Sequence, residues 1–134
     1  AEKLCEDLGI SDKVIFFGNS NDINQILKYS DLFLLPSETE SFGLAALEAM
    51  AFNVPVISSN SGGIPEVNEE GISGFLSNVG DVESMSQNAI TILKSDDTLN
   101  QFKKSAFEVA KKFDIKNILP LYEDLYNKAI NLES

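Results

Sequence analysis

The sequence predicts an α/β fold, a parallel sheet with flanking helices, on three observations. Short apolar runs recur at Val14–Phe17, Leu32–Leu35, Val54–Ser58 and Phe75–Leu76, each too brief for a helix and readable as a buried parallel strand. Stretches with helical periodicity separate these runs, and strands alternating with helices imply parallel pairing through crossovers. Punctuation by Gly9, Pro36 and Gly62-Gly63 falls between the periodic segments rather than inside them.

Taken in order, Lys3 to Leu8 is the end of a helix stopped by Gly9, and Val14–Phe17 is the first strand. Ser20 or Asn21 caps a helix running to about Tyr29, and Leu32–Leu35 follows as a strand closed by Pro36. A helix then begins near Phe42 and ends near Phe52, ahead of the strand Val54–Ser58. Gly62-Gly63 makes a turn, and Pro65 suits the first position of a short helix, since its missing N–H is an orphan donor there anyway. After the short strand Phe75–Leu76, Asp81 caps a helix to about Lys94, and another runs from Asp97 to Phe113. A last helix spans Asn117 to Leu132, with Pro120 in its first turn or kinking it. Phe102, Phe107 and Phe113, and the Leu121, Tyr122, Leu125, Tyr126 stripe, have core-facing spacing. The second stripe is also a candidate docking face for a further domain.

The most informative stretch is Glu40-Ser41-Phe42-Gly43-Leu44-Ala45-Ala46-Leu47-Glu48, which places two carboxylates eight positions apart around the start of an apolar helix. From Ser41 to Gly63 the only charged residue is Glu48. A carboxylate kept on an apolar helix needs donors, because an unpaired buried charge costs several kcal/mol or neutralises itself. A vicinal diol of a sugar supplies two O–H donors to one carboxylate; a salt bridge to a lysine or arginine elsewhere is the competing reading. Glu40 belongs to the polar loop Ser37–Ser41 after a strand, where ligands bind in doubly wound sheets. The backbone N–H groups of Phe42, Gly43, Leu44 and Ala45 are expected to point into the same crevice, and a helix start of this kind suits a phosphate. Gly43 carries no side chain to hold a ligand away. Strand, acidic loop, open helix start and second acid together suggest a site for a sugar joined to a diphosphate.

These residues resemble the paired-glutamate signature of the retaining glycosyltransferases of family 4, which have two Rossmann-like domains in the GT-B arrangement. The resemblance continues through Glu48-Ala49-Met50-Ala51, Val54-Pro55-Val56-Ile57, Gly62-Gly63-Ile64-Pro65-Glu66-Val67 and Gly71-Ile72-Ser73-Gly74-Phe75-Leu76, in order and nearly throughout the chain. Within the family, the wording around Glu40 and around Asn60–Val67 is most similar to the branch that makes N-acetylglucosaminyl-malate in bacillithiol biosynthesis. The resemblance implies UDP-N-acetylglucosamine as donor and L-malate as acceptor. It implies that Glu48 holds the ribose diol, Glu40 the donor-sugar hydroxyls as the catalytic carboxylate, and the Phe42–Ala45 amides the distal phosphate and sugar. It implies no cofactor and no metal, the nucleotide-sugar being a substrate. The alternatives are a family-4 enzyme with another nucleotide-sugar and acceptor, and a non-catalytic α/β binding module.

Composition narrows the function without choosing it. At 134 residues and 43% hydrophobic, the chain can bury a real core. No apolar run approaches the length needed to span a bilayer, and no basic stretch introduces a signal-like segment. The single cysteine, Cys5, excludes an intramolecular disulfide and fits a reducing, cytoplasmic compartment; its helical setting reads as a packed or half-exposed small residue. With no histidine, neither a His-based triad nor a His-ligated metal can be built, and Glu38, Glu40 and Asp81 lack the close spacing of a carboxylate cation site. A net charge of -11 argues against nucleic acid or an anionic membrane as partner. It also raises a difficulty: no Lys or Arg lies between Lys28 and Lys94, whereas a diphosphate normally wants cations.

The resemblance accounts for that gap. In the family an Arg and a Lys from an earlier strand and loop of the same domain hold the phosphates, so residues 1–134 are expected to be a partial C-terminal nucleotide-sugar-binding domain. It would lack its first two strands and the intervening helix, and the N-terminal acceptor domain as well. The missing first strand would sit at the sheet centre, between Val14–Phe17 and Leu32–Leu35. Lesser candidates are Gly62-Gly63 (a turn first, a close approach to substrate second), Glu66 as a partner of a helix dipole, Ser37 closing a local turn, and Asn19 in a loop where related enzymes hold the uracil ring.

Overall fold

The computed structural model describes residues 1–20, 22–114 and 116–120. Three strands, β1 (Phe33–Leu35), β2 (Val56–Ser59) and β3 (Gly74–Ser77), form a parallel sheet in the order β1-β2-β3. Phe33 is opposite Val56 in the first pair, and Val56 opposite Gly74 in the second. Helices α1 (Glu2–Asp7) and α2 (Ile23–Lys28) precede the sheet, α3 (Leu44–Ala51) and α4 (Ile64–Val67) make the two crossovers, and α5 (Val82–Leu93) and α6 (Asp96–Lys112) follow it.

β2 is the central strand, and all four of its residues are buried. Side chains alternate between faces along a strand, so Val56 enters one apolar cluster and Ile57 the other. The first cluster holds Leu27, Ala46, Ala49, Met50, Val54, Val67, Ala106 and Val109, and so packs α3 and α6 against one face. On the opposite face, Ile57, Met85 and Ile92 pack α5, with Phe75 tilted against Phe102 at 5.4 Å between ring centroids. Small residues on α3 permit close packing: Ala46 and Ala49 are fully buried. Where α3 ends, Asn53 takes a left-handed φ of 62°, and Val54 N donates to Ala49 O at 3.0 Å, which satisfies a terminal carbonyl.

Most expected elements form within one to three residues of their predicted ends. Asp81 caps α5 by accepting from Ser84 N at 2.9 Å, and Ser95 caps α6 by accepting from Thr98 N at 3.2 Å. α2 begins at Ile23 with Asp22 as its N-cap residue, not Ser20; the Ser20 hydroxyl instead accepts from Asp22 N at 3.2 Å. Asn21, the other candidate cap, lies outside the described residues, as do Leu121, Tyr122, Leu125 and Tyr126. Residues 116–120 are helical, consistent with the start of the last expected helix. Phe102, Phe107 and Phe113 are half-buried, and Cys5 is partly exposed. Among the described residues, no helix is long and apolar enough to cross a membrane.

The strand expected at Val14–Phe17 is corrected. Val14 has an extended backbone, but the segment joins no ladder, and Ile15 and Phe17 are 76% and 61% exposed. A strand exists only through its neighbour, and among the described residues β1 pairs on one edge alone, with β2. Leu34 of β1 is correspondingly 55% exposed and borders an apolar groove of about 280 Å³ with Pro36, Val82 and Met85.

Buried polar groups at the sheet's far side are fully paired. Asn68 Nδ2 donates to Val56 O at 3.2 Å, Ser58 Oγ at 2.8 Å and Phe75 O at 3.3 Å, while Ser73 Oγ donates to Asn68 Oδ1 at 2.9 Å. One amide thereby ties the end of α4 to both β2 and β3. Asn68→Ala leaves several buried partners unsatisfied, each worth about 1–3 kcal/mol. Urea unfolding is expected to register a loss of about 2–4 kcal/mol, whereas the exposed cap variant Ser95→Ala should lose about 1 kcal/mol.

Candidate functional site

The loop between β1 and α3, residues 36–43, leaves the carboxyl end of β1 and turns directly into the first turn of α3. Its neighbour is the segment Ser59–Gly63, which leaves the carboxyl end of β2. Ser59 Oγ donates to Leu35 O at 3.2 Å and also to Ser37 O. Ser61 Oγ donates to Glu38 O at 2.8 Å, and Gly63 N donates to Glu40 O at 3.3 Å. The two backbones also touch: a Cβ on Gly62 would overlap the Glu40 carbonyl, and one on Gly63 would lie 2.6 Å from Ser41 O and 2.9 Å from Phe42 Cα. Gly62 additionally holds a left-handed φ of +54°. The glycine pair is therefore more than a turn: it admits the acidic loop at van der Waals contact. Ser37 takes part through its carbonyl, not as the side-chain turn former expected from the sequence.

Glu40 is half-buried and, with Thr39 and Ser41, lines an open hollow of about 500 Å³. Its Oε1 accepts from Gly43 N at 3.4 Å. Of the four amides expected to face the crevice, that of Gly43 is thus turned toward Glu40. Gly43 itself is buried, with φ +89°, and a Cβ there would come within 2.9 Å of the Val67 side chain. The missing side chain makes room for α4, which corrects the expectation that it clears space for a ligand. Leu44 and Ala45 open α3, whose first turn has no side-chain cap, so its terminal N–H groups remain available as anion donors. The Phe42 ring packs edge-on against Phe113 at 6.3 Å, which anchors the helix start to the end of α6.

Glu48 lies on α3 one turn after Leu44, and both are exposed. The premise of a carboxylate buried among apolar residues is therefore corrected. α3 is apolar by composition, but Ala46, Ala49 and Met50 take the buried face and leave position 48 to solvent. Nor is the competing salt bridge seen among the described residues, whose ion pairs are Lys103–Asp31, Lys111–Glu108 and Lys112–Glu69. All ten basic residues of the chain are lysines, and none of these pairs involves Glu40 or Glu48. Among the described residues, no three His, Cys, Asp or Glu side chains are grouped to hold a metal. Glu66 occupies the first turn of α4, exposed, and Asn19 is exposed in its loop.

Sequence reasoning missed Ser59 and Ser61. The available signal was a run of small polar residues, Ser58 to Ser61, between a strand and a glycine pair, but which carbonyls they would meet depends on how the loops of β1 and β2 lie against each other.

The parallel sheet with flanking helices is shared with solved GT-B glycosyltransferases. HepE from Anabaena, crystallised in complex with UDP, superposes with a TM-score of 0.84 at 28% identity, over 94% of this chain and 35% of that one. Its complex with UDP-glucose gives a TM-score of 0.81. The sequence profile described as Glycosyl transferases group 1 matches residues 1–109, and the chain belongs to that family. N-acetyl-alpha-D-glucosaminyl L-malate synthase of Bacillus anthracis is 42% identical over 125 residues, covering 92% of this chain and 33% of that protein. D-inositol 3-phosphate glycosyltransferase of Corynebacterium glutamicum is 30% identical over 133 residues, covering 98% and 32% respectively. The chain thus spans about a third of the length of the curated relatives it matches.

The glycine contact gives a direct test. Gly71 has a similar φ, +71°, with open space where its Cβ would be, so Gly71→Ala carries only the backbone penalty, about 1 kcal/mol. Gly62→Ala adds overpacking against the Glu40 carbonyl and is expected to cost about 2–4 kcal/mol in all by chemical denaturation. Equal losses for the two variants would mean that the loops can move apart freely.

Proposed function

We propose that residues 1–134 form part of the C-terminal donor-binding domain of a retaining glycosyltransferase that moves N-acetylglucosamine from UDP-N-acetylglucosamine to L-malate. The observation that carries this reading is the 42% identity to the Bacillus anthracis synthase over 125 residues. The placement of Glu40 at an open hollow beside the uncapped start of α3 supports it. In this reading the exposed Glu48 accepts hydrogen bonds from the ribose diol, and Glu40 accepts from hydroxyls of the transferring sugar. The main-chain N–H groups of residues 42–45 face the distal phosphate and sugar; that of Gly43, aimed at Glu40 Oε1, holds the carboxylate in place until substrate arrives. The exposure of Glu48 suits such a role, since no ion pair among the described residues engages its carboxylate.

Charge decides what must come from elsewhere. A diphosphate beside two carboxylates is repelled unless cations balance it, and none stands by Glu40 or Glu48 among the described residues. The phosphate-binding Arg and Lys, and the malate pocket, are therefore assigned to polypeptide outside residues 1–134. Preorganised amides and those cations stabilise charge on the leaving diphosphate. The leaving phosphate, on the same face of the sugar as the acceptor, helps to take the acceptor proton. No metal, cofactor or protein nucleophile enters the scheme, and its setting is the cytoplasm. A second reading, another acceptor for the same donor chemistry, is favoured by the 30% identity to an enzyme named for D-inositol 3-phosphate. Assaying the full-length protein with UDP-N-acetylglucosamine against malate and inositol phosphate separates the two.

The two carboxylates are expected to differ in kinetics. Interactions with the transferring sugar strengthen as charge develops at its anomeric carbon, whereas those with ribose are nearly uniform along the reaction. Glu40→Gln should lower kcat by roughly 10- to 100-fold with UDP affinity nearly unchanged. Glu48→Gln should weaken UDP and UDP-sugar alike by roughly tenfold or more. Steady-state kinetics and UDP titration of full-length variants check both, and the reverse pattern would exchange the roles. The 134-residue chain alone should transfer no sugar; turnover by it would show that the basic ligands are dispensable.

A further inference from the structure

We infer that the segment Ser59–Gly63 is the positioning element for Glu40, setting the rate of sugar transfer without contributing to nucleotide affinity. The inference rests on the donor-site reading and deepens it. The loop bearing Glu40 has no regular structure of its own, so its place must be imposed from outside. Carbonyls in it, or just before it, are held by this one segment: Leu35 and Ser37 share the single proton of the Ser59 hydroxyl, Glu38 accepts from the Ser61 hydroxyl, and Glu40 from Gly63 N–H. Gly62 and Gly63 add a contact stop, since their Cα atoms meet the Glu40–Phe42 backbone with no room for a side chain. Hydrogen bonds fix the loop along its length, and the glycines fix its depth.

The base of this clamp is the end of β2, the strand buried along its whole length, which makes it the firmest available reference. Gly63 also touches the Phe42 backbone, but the start of α3 has supports of its own, Gly43 against Val67 and Phe42 against Phe113. Glu48, in the second turn of α3, follows the helix and not the clamp. Loosening the clamp therefore moves Glu40 relative to the transferring sugar and leaves the ribose and phosphate contacts where they were. A displacement near 1 Å at a reacting centre can lower a rate by roughly a hundredfold.

Ser61 is the residue to test, because its hydrogen bond is at the surface and its loss does not empty the core. In the full-length enzyme, Ser61→Ala is expected to lower kcat roughly tenfold while UDP affinity stays within about twofold. Ser61→Thr, which keeps the hydroxyl, should recover most of the lost kcat. Ser86→Ala removes a comparable 2.8 Å hydroxyl-to-carbonyl bond within α5 and should leave both quantities unchanged. Hydrogen exchange read by mass spectrometry or NMR supplies an activity-independent measure: the Gly63 and Gly43 amides should exchange faster in Ser61→Ala than in the parent, with α5 unaffected. An unchanged kcat, a kcat loss matched by an equal loss of UDP affinity, or no recovery in Ser61→Thr overturns the inference. If the parent turns over no nucleotide-sugar, the donor-site reading fails; the exchange result then decides the clamp by itself, and unchanged exchange at Gly63 overturns it.

Discussion

The contact between Gly62 and the Glu40 carbonyl is the constraint around which the acidic loop is arranged. Two polypeptide segments leave neighbouring strands and meet with no side chain between them. Hydroxyls from Ser59 and Ser61 then reach carbonyls that a one-residue bulkier interface would hold out of range. Close approach comes first, and the hydrogen bonds become possible because of it. The conformation of Glu40 is a consequence of the neighbouring loop more than of its own sequence.

That loop can serve as a template because β2 is buried on both faces. Val56 and Ile57 commit to opposite clusters, so a register slip by one residue would exchange them and bring Ser58 into an apolar layer. Asn68 adds a polar lock, binding two adjacent strands through one side chain whose donors and acceptor are all used. Apolar burial supplies most of the driving force, but these directional bonds fix the alignment of β2 and β3, and the site inherits that alignment.

Electrostatically the groups around the acidic loop pull in opposite directions. Helix-start N–H groups favour an anion, while Glu40 and Glu48 oppose one, and the lysine pairs lie elsewhere among the described residues. In the donor-site reading proposed above, the ligand presents hydroxyls to the carboxylates and phosphate to the helix, with cations beside it. Among the described residues β1 is unpaired on the edge away from β2, and Ile15 and Phe17 are exposed.

The sequence by itself determined the fold class, the order of most elements, the capping of α5 by Asp81 and the family, because each is written in local pattern: short apolar runs, helical periodicity, turn residues and an ordered series of motifs. It placed Glu40 after a strand and Glu48 on a helix for the same reason. Only the tertiary structure decided that Val14–Phe17 makes no ladder, since a strand depends on a neighbour that no local pattern supplies. Only the tertiary structure turned Glu48 outward, because every other residue of α3 is apolar and composition cannot say which of them meet the sheet. And only it assigned Ser59, Ser61 and Gly62 to the placement of Glu40: their partners lie about twenty residues away in the chain, and contacts at that distance are set by how two loops pack, which no single segment encodes.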